Sequence, residues 1–165
     1  LSSKLYGQSE DRLAQIMEVK SSIEKAEIDV GNTRSVIIGD FNMNPFEYPM
    51  VMAGGMHSLS CRQVVNERNR TVSGKKYSMF YNPMWNKLGD NDKPQGTYFY
   101  RSSIQTSYFW NTFDQVLIRP ELIPDLNVDN IKIIDEINGI SLKDDKGIPN
   151  ISDHFPLYFE LGGIE

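Results

Sequence analysis

Disulfide chemistry is closed to this chain, because its one cysteine, Cys61, excludes an internal disulfide and provides no zinc cluster. Long apolar runs are absent too. None approaches the ~18 residues that a membrane-crossing helix needs, so the sequence predicts a soluble segment with no transmembrane span. Positive charge is in short supply: 17 Lys and Arg stand against 22 Asp and Glu, a formal net charge of −5. That balance disfavours a grip on long nucleic acid, which works through clustered bases and counterion release. No secretory or transit signal is visible, and the chain opens on Leu1 rather than methionine. The compartment therefore stays open, cytoplasmic or secreted.

What is present suffices for a core. The 165 residues, of which 39% are hydrophobic, suit one compact domain and are short for two. Residues 9–27 read as an amphipathic helix with Ser9 as N-cap and with Leu13, Ile16, Met17, Lys20 and Ile23 along one face. Arg34 to Ile38 is a β-branched run that reads as a buried strand ending at Asp40. Asn44-Pro45 predicts a capped short helix closed by Gly54-Gly55. Between 57 and 95 the pattern is irregular, with one helix expected around 60–68 and a long loop. From Gly96 the chain turns β-rich, with strands predicted at 97–100, 112–118, 128–134 and 156–161. The fold class that follows is α+β, one mixed and mainly antiparallel sheet with helices on one face.

Arg62, Arg68, Arg70, Lys75 and Lys76 gather within fifteen positions, with Glu67 the one acid among them. They read either as a solvated loop or as a rim for an anionic substrate. His57 has no motif around it and reads as a packing or surface residue. Trp85, Trp110 and the tyrosines from Tyr77 to Tyr108 read as core and cleft wall, since no basic track accompanies them for base stacking.

Three segments carry chemistry. Ser35-Val36-Ile37-Ile38-Gly39-Asp40-Phe41-Asn42 ends a strand on an acid and an amide. Trp110-Asn111-Thr112-Phe113-Asp114-Gln115-Val116-Leu117 places an acid inside a strand pattern, and Ile151-Ser152-Asp153-His154-Phe155-Pro156 sets an acid beside an imidazole. Hydrolysis of a phosphate ester needs an oriented water, offset phosphoryl charge and in-line geometry, and converging Asp, Asn and His side chains are suitable parts. Taken singly, each has a plainer reading: Asp40 and Asn42 as turn caps, Asp153-His154 as a capped strand entry, Asp114 as a solvent-facing strand acid.

Together, in this order and spacing, the three segments resemble the C-terminal motifs of the endonuclease/exonuclease/phosphatase superfamily, and the likeness covers essentially the whole chain. The resemblance implies that Asp40 activates or positions the attacking water and that Asn42 contacts the phosphate and orients Asp40. It implies that His154 contacts the phosphate and steadies the transition state, that Asp114 orients His154, and that Asp153 binds the divalent metal, Mg2+ or Mn2+. The implied fold is the second half of a four-layer α/β/β/α sandwich, with residues 1–165 forming a single partial domain.

Such proteins carry an asparagine and a metal-binding glutamate on the first sheet, and a further histidine just ahead of a segment like Leu1-Ser2-Ser3-Lys4. None has a counterpart in this chain. The expectations are that the chain alone is inactive and that it self-associates through a bare sheet face. The full-length parent is expected to be a phosphoester hydrolase, phosphatase or nuclease. A small-molecule or lipid phosphodiester is favoured over duplex DNA as its substrate. The alternative is a non-catalytic binding module on the same scaffold.

Overall fold

A computed structural model describes residues 9–90 and 94–162. The Leu1 to Lys4 segment, and Asn91 and Asp92 of the expected loop, lie outside the described residues. Among the described residues three helices, α1 (Ser9–Val30), α2 (Tyr48–Val51) and α3 (Arg62–Val65), accompany twelve strands. The strands are β1 (Val36–Asp40), β2 (Ser58–Leu59), β3 (Asn69–Val72), β4 (Lys75–Ser78), β5 (Phe80–Tyr81), β6 (Tyr98–Phe99), β7 (Trp110–Asn111), β8 (Asp114–Ile118), β9 (Lys132–Ile133), β10 (Glu136–Ile137), β11 (Ile140–Ser141) and β12 (Leu157–Tyr158). The central sheet has the order β1-β8-β5-β2, antiparallel except for the β2/β5 pair. The chain is thus a mixed α+β fold with helices packed against a mainly antiparallel sheet. No helix among the described residues is long and apolar enough to cross a membrane.

Helix α1 outlasts its apolar pattern by three residues. Its end is a Schellman motif: Gly31 sits at φ +68, its N–H bonds Ile28 O, and the Asn32 N–H bonds Glu27 O. Ser9, read as the N-cap, already lies within the helix. Ile16, Lys20 and Glu27 are buried, whereas Met17 is exposed, because one residue of helix turns it about 100° from Ile16. The two buried charges are paired. Lys20 Nζ donates to Ser78 O at 2.8 Å, and burial lowers its pKa to about 8. Glu27 takes two hydrogen bonds from the Arg119 guanidinium at 2.8 and 2.7 Å, and Arg119 also lies 3.8 Å above the Phe80 ring. These bonds tie α1 to the far end of β8.

Along β8, Leu117 enters one core with Ile16, Phe41, Met50 and Phe80, while Val116 and Ile118 enter another with Tyr81, Leu122, Ile131 and Phe155. Alternation in a strand sends neighbours to opposite faces, so both faces of β8 are covered. The bare apolar face expected from the sequence is therefore not present there. The second core is built by the turns at Pro120–Asp125 and Val128–Asn130 and by strand β12. Exposure falls instead on β1, which has one strand partner among the described residues and whose Ile38 is 55% exposed.

Several elements are shorter than the sequence suggests. Asn44 caps no helix; α2 is one turn, begun at Tyr48, and Asn44 is spent in a buried network instead. The expected strand 112–118 begins only at Asp114, because the N–H groups of Thr112 and Phe113 bond side chains of Asn44 and Thr97, and Trp110–Asn111 ahead of it forms the separate short β7. The expected strand 128–134 opens as a 3-10 turn capped by Asn127, whose side chain takes the Asp129 N–H.

Candidate active site

Antiparallel pairing brings two of the motif acids together. In the β1/β8 register Asp40 is the partner of Asp114, so the last residue of one strand faces the first of the other. Just past β1, Asn42 adopts φ +52, a conformation asparagine tolerates better than most residues. Its N–H donates to Asp40 Oδ1 at 2.7 Å and its Nδ2 to Asp40 Oδ2 at 3.0 Å. The turn that caps the strand and the clamp that orients the carboxylate are one set of contacts.

Thr97, fully buried, positions the remaining motif. Its Oγ1 accepts the N–H groups of Phe113 and Asp114 at 3.1 and 3.2 Å, and its carbonyl accepts that of Phe155 at 2.8 Å. Tyr98 forms a β-bridge with His154. The close approach depends on Gly96, where a Cβ would stand 2.6 Å from Asn111 O. The glycine opening the β-rich region was visible in the sequence, but nothing there linked Thr97 to the site.

His154 Nδ1 lies 2.7 Å from Asp114 Oδ2, and both side chains are about a quarter exposed (23% and 24%). A carboxylate accepts only, so Nδ1 carries the proton and Nε2 is the nitrogen left for the cleft. The Asp114 hydrogen bond raises the His154 pKa above its ordinary 6.5; burial opposes this, and the charges of Asp114, Asp40 and Asp153 reinforce it. Asp153 is exposed beside His154, with a long contact from Ser152 Oγ at 3.4 Å. Asp114 therefore does not face solvent as simple alternation would have it.

Asp40, Asn42, Asp153 and His154 line one cleft of about 500 Å³, and Asp114 supports His154 from behind. Tyr98, Tyr100 and Tyr108 form its wall. A buried amide network holds the floor: Asn44 Oδ1 accepts the Thr112 N–H, Asn44 Nδ2 donates to Asn111 Oδ1, and Gln115 Nε2 donates to Thr112 O. It locks the segment after Asp40 to the segment before Asp114. Asparagine and glutamine carry no charge signal, so no pairing among them is legible in the sequence.

The basic group at 62–76 is not part of this cleft. It belongs to α3 and the β3/β4 hairpin, where Arg62 sits over Tyr81, Arg68 pairs with Glu121 and Lys75 lies over Tyr77. The cleft rim comes instead from residues 98–108. His57 is fully buried with Nδ1 against Ser78 O, a packing residue, and burial lowers its pKa.

Among the described residues no three His, Cys, Asp or Glu side chains are grouped to hold a metal ion. Both Asp40 oxygens bond Asn42, one Asp114 oxygen bonds His154, and Asp153 extends into the cleft. Such hard oxygen donors suit Mg2+, which takes one or two carboxylates and fills its octahedron with waters and substrate phosphate oxygens. Among the described residues these donors fall short of a protein cage. No family model, curated protein or solved structure matches the chain.

Proposed function

We propose that the chain carries half of the active site of a divalent-metal-dependent phosphoester hydrolase of the endonuclease/exonuclease/phosphatase type. The observation that supports this most is the convergence on one cleft of a carboxylate clamped by an amide, Asp40 with Asn42, and an imidazole clamped by a carboxylate, His154 with Asp114. In this reading the sheet with α1 is one β/α half of a four-layer sandwich.

Each side chain has a distinct task. Asp40, its orientation fixed by Asn42, holds the attacking water and accepts its proton. His154 presents Nε2 to a phosphoryl oxygen, and its raised pKa keeps more of the cationic form at neutral pH, offsetting charge that grows in the transition state. Asp114 fixes the imidazole's tautomer and direction. Asp153 would hold Mg2+ on the protein side, and the ion would offset charge on the phosphoryl oxygens.

The test compares Mg2+-dependent hydrolysis of bis(4-nitrophenyl) phosphate by this chain, by the longer protein this reading requires, and by the longer protein's Asp40→Ala and His154→Ala variants. Activity in the longer protein, lost in both variants, supports the proposal. Unchanged hydrolysis in both variants would remove these residues from the mechanism.

A further inference from the structure

Glu47 lines the cleft, yet its side chain is spent behind the wall. It is the N-cap of α2, a position from which a side chain can accept an N–H of its own helix, and it makes no such bond. Its Oε1 turns back and accepts the Asn44 N–H at 2.9 Å and Asn44 Nδ2 at 3.3 Å. Its Oε2 lies 3.6 Å from Arg12 Nη1 on α1, and the two side chains are 18% and 15% exposed. Arg12 Nε and Nη1 are buried without a hydrogen bond, so through these atoms the guanidinium serves Glu47 as a counter-charge rather than as a donor.

These contacts bear on Asp40. Asn44, gripped by Glu47, reaches across to Asn111 and the Thr112 N–H. Met43 is buried and its carbonyl accepts Gln115 Nε2, while the buried Phe41 donates its N–H to Phe113 O at 2.9 Å. Asn42 therefore sits between two anchored neighbours, at φ +52, with its N–H and its Nδ2 both on the Asp40 carboxylate. A displacement of Asn44 passes through Met43 to Asn42 and turns that carboxylate.

Resting on the phosphoester reading, we infer that Glu47 is a positioning residue for Asp40: its reach to Asn44 sets the turn that carries Asn42, and Asn42 sets the aim of the carboxylate that holds the attacking water. Two properties of Glu47 then separate. The length of the side chain and its accepting oxygen position the turn, whereas its charge, opposite Arg12, stabilises the fold. Glutamine keeps the first and loses the second. Aspartate keeps the charge and draws the oxygen back by one methylene.

The test measures kcat, KM and urea midpoints for Glu47→Gln, Glu47→Asp and Asp40→Ala in the longer protein, with bis(4-nitrophenyl) phosphate as substrate, and follows the Asn42 side-chain amide by NMR in this chain. Glu47→Asp should lower kcat about ten- to hundredfold and leave KM within about twofold, since a misaimed group costs rate rather than binding. Glu47→Gln should retain kcat within about threefold while lowering the urea midpoint, because Arg12 loses its counter-charge. The Asn42 amide resonances should move in Glu47→Asp and stay in Glu47→Gln. A kcat that follows the urea midpoint across the two variants, a wild-type kcat in Glu47→Asp, or an Asn42 amide that does not move in Glu47→Asp overturns the positioning role. Absence of hydrolysis by the longer protein, or a wild-type rate in Asp40→Ala, overturns the phosphoester reading instead, and the Asn42 amide then decides by itself whether Glu47 sets the turn.

Discussion

Replacing Asp114 with Asn keeps the size of the side chain and removes its charge, which isolates the 2.7 Å bond to His154 Nδ1. A hydrogen bond to a charged group is worth about 1.5–3 kcal/mol and a neutral one about 0.5–1.5 kcal/mol. The difference, about 1–1.5 kcal/mol, is roughly tenfold in rate if it acts on the transition state. Asp114→Ala removes the bond altogether and should cost about 10- to 150-fold. The imidazole provides a readout independent of turnover. The chain has two histidines, His57 lowered by burial and His154 raised by Asp114, so their NMR titrations should fall on opposite sides of 6.5. In Asp114→Asn the His154 curve should move down and the His57 curve stay.

Stability follows with a definite sign. A raised histidine pKa contributes stability that is complete below the unfolded value near 6.5 and is lost as pH rises through the folded value. His57, depressed, contributes above 6.5 and loses that contribution as pH falls through its folded value. Asp114→Asn should therefore flatten the loss of stability above pH 6.5, read from urea midpoints, and leave the acid side alone. A His154 titration that does not move in Asp114→Asn would refute the account of this pair.

Glu27→Ala strands the buried Arg119 guanidinium, and leaving such a charge unpaired costs about 3–5 kcal/mol. Denaturant unfolding should show that loss, and one under about 1 kcal/mol would mean the pair is hydrated rather than buried. Self-association through a bare sheet face is the expectation from the sequence; at β1, which has one strand partner among the described residues and leaves Ile38 exposed, Ile38→Glu should shift light scattering from dimer to monomer. A wild-type chain that is monomeric at tens of micromolar removes that expectation.

The parts legible in the sequence are those governed by local rules. The β-branched run from Val36 to Ile38 announced a strand, its end placed Asp40, and Asn42 two residues on closed the turn. Asp114 and His154 were legible as chemical types, while the 2.7 Å contact between them, across 40 positions, is a product of sheet register and of Thr97, which bonds Asp114 17 positions on and also Phe155. Contacts of that kind leave no periodic trace. Lys20 was legible on the packing face of α1, but its partner Ser78 and the burial of Glu27 against Arg119 were hidden, because those partners lie far along the chain. The basic group at 62–76 left two readings open for the same reason, and the solvated one holds. Charge density is visible in sequence, but whether a hairpin carries it toward the cleft or away from it is decided by packing.

The central claim is that Asp40 and His154 act on one phosphorus atom, and the most direct measurement is Mg2+-dependent cleavage of bis(4-nitrophenyl) phosphate by the longer protein and its single variants. The account predicts loss of at least about a hundredfold in each of Asp40→Ala and His154→Ala, with folding intact by circular dichroism. Hydrolysis at the wild-type rate in either variant would contradict it.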